Sequence, residues 1–316
     1  MNKMKIGFIG YGSMGSMILN GFLDSNSISA KDIMVSNRTI SKLDNLKEKY
    51  PEMEISPKNM DLAKKCNPIF LFVNTGEVKN VLDEIKDGIA KDVHIIHISA
   101  GLSLKTIEKS FSFKITQIIP SLTSELKEGV SLVCHNGKVN SKEKEFVESL
   151  FSRISNVKVV REEDLDISTD LTSCSPAFMA YIFKEFADIG AARSELTEKE
   201  AEEMVLQTLL GTVKLLTEKK MSFEEIISRV ATKGGITEEG IKSLETDLPL
   251  VFDNLFKSTF NKREKLKRDL DKQYNVYLEL ILNFVFKFPE WFSFGFFLFQ
   301  MFHFMRNSVS TRPCKF

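Results

Sequence analysis

Tryptophan occurs once in this chain, and histidine and cysteine four times each. Cys66, Cys134, Cys174 and Cys314 are far apart and form no C-x-x-C pair. That spacing excludes a disulfide-framed scaffold and a thiolate zinc site, and it predicts free thiols in a reducing, cytoplasmic setting. His94, His97, His135 and His303 make neither an H-x-x-x-H pair nor a Cys/His cluster, so no metal is expected, and His94 and His97 read as satisfied strand residues. Neither charge prevails: Lys plus Arg and Asp plus Glu number 43 each, which argues against a nucleic-acid binder and a broad basic membrane patch. The N-terminus runs straight into a strand pattern, with no basic region ahead of a long apolar stretch, and predicts no secretory leader. A G-x-S-x-G elbow and a second phosphate loop are also missing.

What is present alternates. Short apolar runs at 5–10, 32–37, 68–74, 93–99 and 114–120 read as strands, with helical patterns at 13–25, 39–50, 76–90 and 102–111 between them. Strands alternating with helices of this size imply parallel βαβ units. GVSLVCH (129–135), a helix at 141–153 and VKVV (157–160) extend the same layer. After about residue 162 the strands stop. Pro176 is placed to open a helix, and a second helix starts at Thr197 with acids in its first turns. Met204, Val205, Leu206, Leu209, Leu210, Val213, Leu215 and Leu216 cover more than one stripe of that second helix. A helix so apolar is buried on several sides, in a bundle or against another subunit. The expected fold is therefore α/β, a Rossmann dinucleotide-binding domain (1–160) followed by an all-α dimerisation and substrate domain (161–270). Residues 271–316 form an atypical Phe-rich tail, interrupted by Lys287, Pro289 and Glu290 into pieces short for a membrane span. A membrane-surface anchor, an oligomer contact and an out-of-frame extension remain open for it.

GYGSMG supplies Gly10, Gly12 and Gly15 in G-x-G-x-x-G spacing, with Tyr11, Ser13 and Met14 between them. The motif follows a strand and opens a helix, which is the context a pyrophosphate site needs. Gly10 permits the tight turn, Gly12 lets the backbone approach a phosphate, and Gly15 lets the helix pack close. The helix N-terminus then offers free N–H groups and a positive dipole end. Strand two ends in Asn37, Arg38 and Thr39, without the acid that accepts from a ribose 2′-hydroxyl. A cation and donors there suit a 2′-phosphate, so NADP(H) is the expected cofactor; the plain alternative is a surface arginine. The helical half lacks the G-x-x-x-K-x-x-x-N helix expected of hydroxyacid dehydrogenases.

In ATKGGITEEGIKSLE, Gly234 and Gly235 precede Ile236 and Thr237 at a predicted helix start. Consecutive backbone N–H groups there form a nest for a small carboxylate, with Thr237 either capping the helix or facing the substrate. The alternative is a Gly-Gly linker with a Thr cap.

Over roughly residues 3 to 265 the chain resembles the pyrroline-5-carboxylate reductases. The resemblance rests on KIGFIGYGSMG, ISAGLSLKTIEK, PAF within SCSPAFMAYIF, LQTLLGTVKLL and VATKGGITEEGIKSLE, the last being the most specific. Within the family it is most similar to the paralogues encoded in late-competence operons of Gram-positive bacteria, on IIPSLT, DLTSCSPAF and TKGGITEEGIKSLE. The resemblance implies hydride transfer from NAD(P)H to the C=N carbon of 1-pyrroline-5-carboxylate, a cyclic imine carboxylate, giving L-proline in a homodimer or higher homo-oligomer. It places the substrate carboxylate on the backbone of Gly235, Ile236 and Thr237, and the Thr237 hydroxyl, as the catalytic group, near the ring nitrogen. It also implies Ser99, Ala100 and Gly101 on the nicotinamide side and Asn59 near the adenosine end. A protonated cyclic imine is already electrophilic, so placement rather than a metal carries that reaction. The chain departs from the family at Val73-Asn74-Thr75, where Val-Lys-Pro is usual in a loop near the cofactor. It departs again at Ile119–Thr123, at Ser173–Pro176 and at Thr232-Lys233. These departures keep a second reading open: a diverged paralogue that binds NADP but acts on another imine or serves a non-catalytic, competence-related role.

Overall fold

A computed structural model describes residues 5–274; the tail readings, His303 and Cys314 lie outside the described residues. The first half runs β1 (Lys5–Ile9), α1 (Ser13–Asp24), β2 (Ile33–Ser36), α2 (Asp44–Lys49), β3 (Glu54–Ser56), α3 (Asn59–Ala63), β4 (Cys66–Leu71) and α4 (Val78–Ile85). It continues with β5 (His94–His97), α5 (Leu104–Glu108), β6 (Lys114–Ile119), β7 (Gly129–His135), α6 (Ser141–Phe151) and β8 (Ser155–Val159). The eight strands form one sheet in the order β3-β2-β1-β4-β5-β6-β7-β8.

Two features of the sheet differ from the sequence expectation. β3, only three residues long, was not anticipated, because so short a run shows no alternation. The β7–β8 pair runs antiparallel to β6, with Ile118 opposite Val133. The β6–β7 link is too short for a crossover helix, which forces the chain to turn back; Lys127 makes that turn in the left-handed region at φ 61°.

Helices cover both faces of the sheet. Phe8, Phe22, Phe70, Phe72 and Phe151 pack beneath α1 and α6, with Phe22 edge-on to Phe151 at 5.1 Å. Leu62, Leu82, Ile85, Ile107, Leu270 and Tyr274 fill the opposite face. Truncating any of these fully buried phenylalanines to Ala costs about 3–5 kcal/mol.

The second half is helical: α7 (Leu165–Thr169), a π-helical turn (Asp170–Cys174), α8 (Ser175–Ala191), α9 (Glu198–Thr217), α10 (Phe223–Val230) and α11 (Ile236–Gln273). Pro176 sits in the first turn of α8, where its missing N–H costs nothing. Thr197 caps α9 through a capping box with Glu200. α8 and α9 meet on Ala187, Ala191 and Ala201, small residues that bury little. Their larger side chains, among them Phe186 (72% exposed), Leu206 (61%) and Val213 (52%), stand in the open. α11 continues past residue 270, and its last turns dock on the sheet half through Leu270 and Tyr274. Among the described residues no helix is long and apolar enough to cross a membrane.

Candidate active site

At the carboxyl ends of the strands, the order reverses between β1 and β4, where open α/β sheets bind ligands. A cleft of about 480 Å³ opens there. Gly10 adopts φ +101°, and a Cβ on it would lie 2.4 Å from the Phe72 carbonyl oxygen. A Cβ on Gly15 would lie 2.8 Å from the Phe72 Cβ, so α1 approaches β4 only as glycine allows. At Gly12 nothing stands within 4 Å, leaving the backbone open on the cleft side. α1 has Gly12 as its N-cap with no side-chain cap. The first amides of the helix, at Ser13, Met14 and Gly15, therefore keep their capacity to bind an anion. These residues fit a dinucleotide pyrophosphate.

Of the expected cofactor residues, Gly10, Tyr11, Gly12, Asn37, Arg38, Asn59, Val73 and Asn74 line this cleft. Thr39 stands beside it, its carbonyl accepting from Asn37 Nδ2 at 2.7 Å. Asn37 Oδ1 also accepts from the Tyr11 amide at 2.9 Å, so this side chain braces the glycine loop. Asn59 Oδ1 accepts from the Ser36 hydroxyl at 2.8 Å, and its Nδ2 donates to Glu84 at 2.8 Å. Thr75 Oγ1 donates to the Ala100 carbonyl over a long 3.5 Å, tying the loops after β4 and β5. Ser99 is buried, its carbonyl accepting from Gln117 Nε2 at 2.8 Å. Gly101 turns at φ +78° against Leu266 of α11 and lines a separate cavity of about 240 Å³. Sequence reasoning missed Lys42, Lys58, Glu77 and Asn80, which also line the cleft. Lys58 follows the unanticipated β3, so nothing in the pattern marked it.

The strand histidines divide. His94 Nε2 and His135 Nδ1 both bond Thr116 Oγ1 at 2.7 Å, and His135 Nε2 meets Glu148 at 3.2 Å. His97 departs from the expectation of a satisfied residue: its Nδ1 accepts from the Ser99 amide at 3.3 Å, but buried Nε2 has no partner among the described residues. Burial pushes His94 down to about 4 and His97 to about 3, keeping both neutral. Among the described residues no group of three or more His, Cys, Asp or Glu is placed to hold a metal ion.

The glycine pair begins α11. Gly235 is the N-cap and Gly234 adopts φ +74°. Thr237 falls at the second helical position, so it does not cap the helix. Two amides of the expected nest are engaged: Gly235 N–H donates to the Thr232 carbonyl at 2.8 Å, and Gly234 N–H to Glu238 Oε2 at 2.7 Å. The free amides are those of the first helical turn, from Ile236 onward. Ile236 is 94% exposed.

None of Gly234, Gly235, Ile236 or Thr237 lines the cleft of its own chain. α11 is anchored to the rest of the fold far from them. Arg263 donates to buried Asp170 through Nη1 at 2.9 Å and through Nη2, and Thr259 donates to the same carboxylate at 2.7 Å. Burial alone would raise Asp170, but these partners hold it below its ordinary range. Lys267 pairs with Asp166, and Asp271 accepts from Thr106 at 2.8 Å. From Ile236 to Arg263 the helix rises roughly 40 Å. Ser121 and Ser173 complete the junction, donating to the Thr172 and Pro120 carbonyls at 3.3 and 2.8 Å.

Comparison with known proteins adds to this geometry. The family model for pyrroline-5-carboxylate reductase dimerisation matches residues 162–266, and the model for coenzyme F420-dependent NADP oxidoreductase matches residues 5–101. The chain is 37% identical over 270 residues to pyrroline-5-carboxylate reductase 3 of Bacillus subtilis (strain 168), covering 85% of this chain and 99% of that protein. It is 29% identical over 273 residues to ComE operon protein 4 of the same organism, covering 86% and 100%. Among solved structures it resembles the Coxiella burnetii pyrroline-5-carboxylate reductase with a TM-score of 0.75 at 27% identity, covering 84% of this chain and 99% of that one. The Plasmodium falciparum pyrroline carboxylate reductase with NADP bound gives a TM-score of 0.71 at 25% identity, with the same coverage.

Proposed function

The chain belongs to the pyrroline-5-carboxylate reductase family, and we propose that it reduces 1-pyrroline-5-carboxylate to L-proline with NADPH. The observation that carries this reading is the pairing of an open glycine-loop cleft with an uncapped α11 N-terminus in the family's TKGGITEEGIKSLE stretch. When bound, NADPH supplies the hydride. Gly12 and the first amides of α1 hold the pyrophosphate, and Arg38 receives the 2′-phosphate. The amides of Ile236 and Thr237 receive the substrate carboxylate, and the Thr237 hydroxyl bonds the ring nitrogen. Because α11 carries these groups some 40 Å from its anchor, they serve the cleft of a second copy. The exposed apolar faces of α8 and α9, in the segment matched by the dimerisation model, support that pairing. We read residues 1–160 as the nucleotide unit and 161–270, continued by α11 to Gln273, as the substrate and dimer unit.

A second reading has its own observation. Glu238 already occupies the Gly234 amide, and Asn74-Thr75 replaces the family's Lys-Pro beside the cofactor. Both favour a paralogue that binds NADP and turns over another imine, or none. The test incubates the full chain with NADPH and racemic 1-pyrroline-5-carboxylate, following loss of nicotinamide absorbance and formation of proline. Proline formation sustains the first reading, and NADPH binding without turnover selects the second. Thr237→Ala is expected to lower turnover at least tenfold, the scale of a positioned polar group, with NADPH affinity unchanged; equal loss of NADPH affinity would remove its assigned role.

A further inference from the structure

A carboxylate already stands at the start of α11. Glu238 is the third residue of the helix, and its Oε2 accepts from the Gly234 amide at 2.7 Å. We propose that Glu238 sets substrate choice at this helix start, opposing a ring carboxylate so that carboxylate-free cyclic imines are accepted beside 1-pyrroline-5-carboxylate. The inference rests on the reading above that the amides of Ile236 and Thr237 meet the substrate, and it adds the substrate class.

Local geometry explains why the side chain lies there. A glutamate at the third helical position commonly reaches back to the N-cap amide. Glu143 of α6, Glu200 of α9 and Glu225 of α10 all do so, and in each helix the N-cap side chain accepts in return. In α11 the N-cap is Gly235, whose amide is already donated to the Thr232 carbonyl at 2.8 Å. Gly234, at φ +74°, supplies the next amide back, and Glu238 takes it. Glycine at the N-cap has no oxygen to return, so the amides of Ile236 and Thr237 stay without a side-chain acceptor. A substrate carboxylate bound to them shares one helical turn with the Glu238 carboxylate, and two like charges so placed repel. The Glu238 side chain is 34% exposed, so water screens that repulsion only in part. Lys242 bonds Glu239 at 2.6 Å and stands 4.0 Å from Glu238, which leaves its charge shared between two acids. Lys233 is exposed, and its flexible stem holds the charge at no fixed position. A ring without a carboxylate meets no such opposition.

The test compares kcat/KM for 1-pyrroline-5-carboxylate and for 1-pyrroline, the same ring without the carboxylate. Both are measured with NADPH on the full chain and on its Glu238→Gln variant. Glutamine keeps an oxygen that accepts from the Gly234 amide, so the helix start is preserved and only the charge is lost. The wild-type chain is expected to turn over both imines. The variant is expected to gain roughly three- to tenfold toward 1-pyrroline-5-carboxylate through a lower KM, as for one partly screened like charge, with 1-pyrroline unchanged. An unchanged or falling ratio of the two substrates, or a wild-type chain that turns over 1-pyrroline-5-carboxylate alone, overturns the role of Glu238 while leaving the proposed reduction to its own test. Turnover of neither imine by either protein overturns both.

Discussion

The two halves of the chain solve burial in opposite ways. In the sheet half, helices close over both faces, and Phe8, Phe22, Phe70 and Phe151 lose contact with water inside one chain. In the helical half, α8 and α9 share a seam of alanines with Val205 packed against it and present Phe186, Leu206 and Val213 outward. Exposed apolar side chains in such number, in the segment matched by the dimerisation model, fit an interface. The first half buries its apolar side chains within one chain, whereas the second leaves many of them outward, in the segment matched by the dimerisation model. The glycine pair belongs to the second half, so the proposed chemistry depends on assembly and nucleotide binding does not.

The sharpest way to break this contrast is to spoil the helical face. Leu210→Glu places a charge on a side chain that is 51% exposed in the single chain. It is expected to yield monomers by sedimentation and to abolish turnover, while NADPH still binds. Loss of nucleotide binding together with the dimer would erase the distinction between the halves.

The next effect falls on the junction between them. Arg263→Ala leaves Asp170, 2% exposed, as an uncompensated buried charge, which costs about 3–5 kcal/mol. Thermal unfolding should shift down by several degrees, read by calorimetry; a shift near zero would show that the pair does not hold α11 to the sheet half.

The smallest effect concerns pH and the sheet half alone. His97 is neutral when folded, its pKa lowered by burial from 6.5 to about 3. Between those values the unfolded chain binds the extra proton, so this contribution is complete above 6.5 and is lost progressively as pH falls toward 3. The slope from this one group approaches about 1.4 kcal/mol per pH unit. Denaturant unfolding of His97→Gln should show a flatter dependence between pH 6.5 and 4; an identical slope would assign the acid sensitivity elsewhere.

The contrast also explains what the sequence revealed. Gly10, Gly12 and Gly15 were legible because their spacing between a strand and a helix is a local pattern, although the close approach of Phe72 that calls for Gly10 and Gly15 is not, and the all-round apolar α9 already called for burial in a bundle or against another subunit. Lys58 was not, because β3 is three residues long and carries no period of its own. The reversal at β7 was hidden because alternation along a strand is blind to its direction. The engagement of the Gly234 amide by Glu238 escaped notice because the side chain folds back across the helix start. Most of all, no local pattern tells that α11 carries Thr237 away from its own cleft; that follows only from the anchor at Arg263 and the length of a helix that continues through Pro249.

The most direct measurement mixes two inactive variants, Gly12→Val, which fills the open pyrophosphate face, and Thr237→Ala combined with Gly235→Val, which blocks the α11 start. If each cleft is served by the other copy, a heterodimer pairs one intact cleft with one intact helix start. Dissociating and reassembling the two variants together should then restore about a quarter of wild-type turnover, since half the dimers in a random mixture carry one complete site. Turnover no greater than that of either variant alone would contradict the shared site and place both groups within one chain.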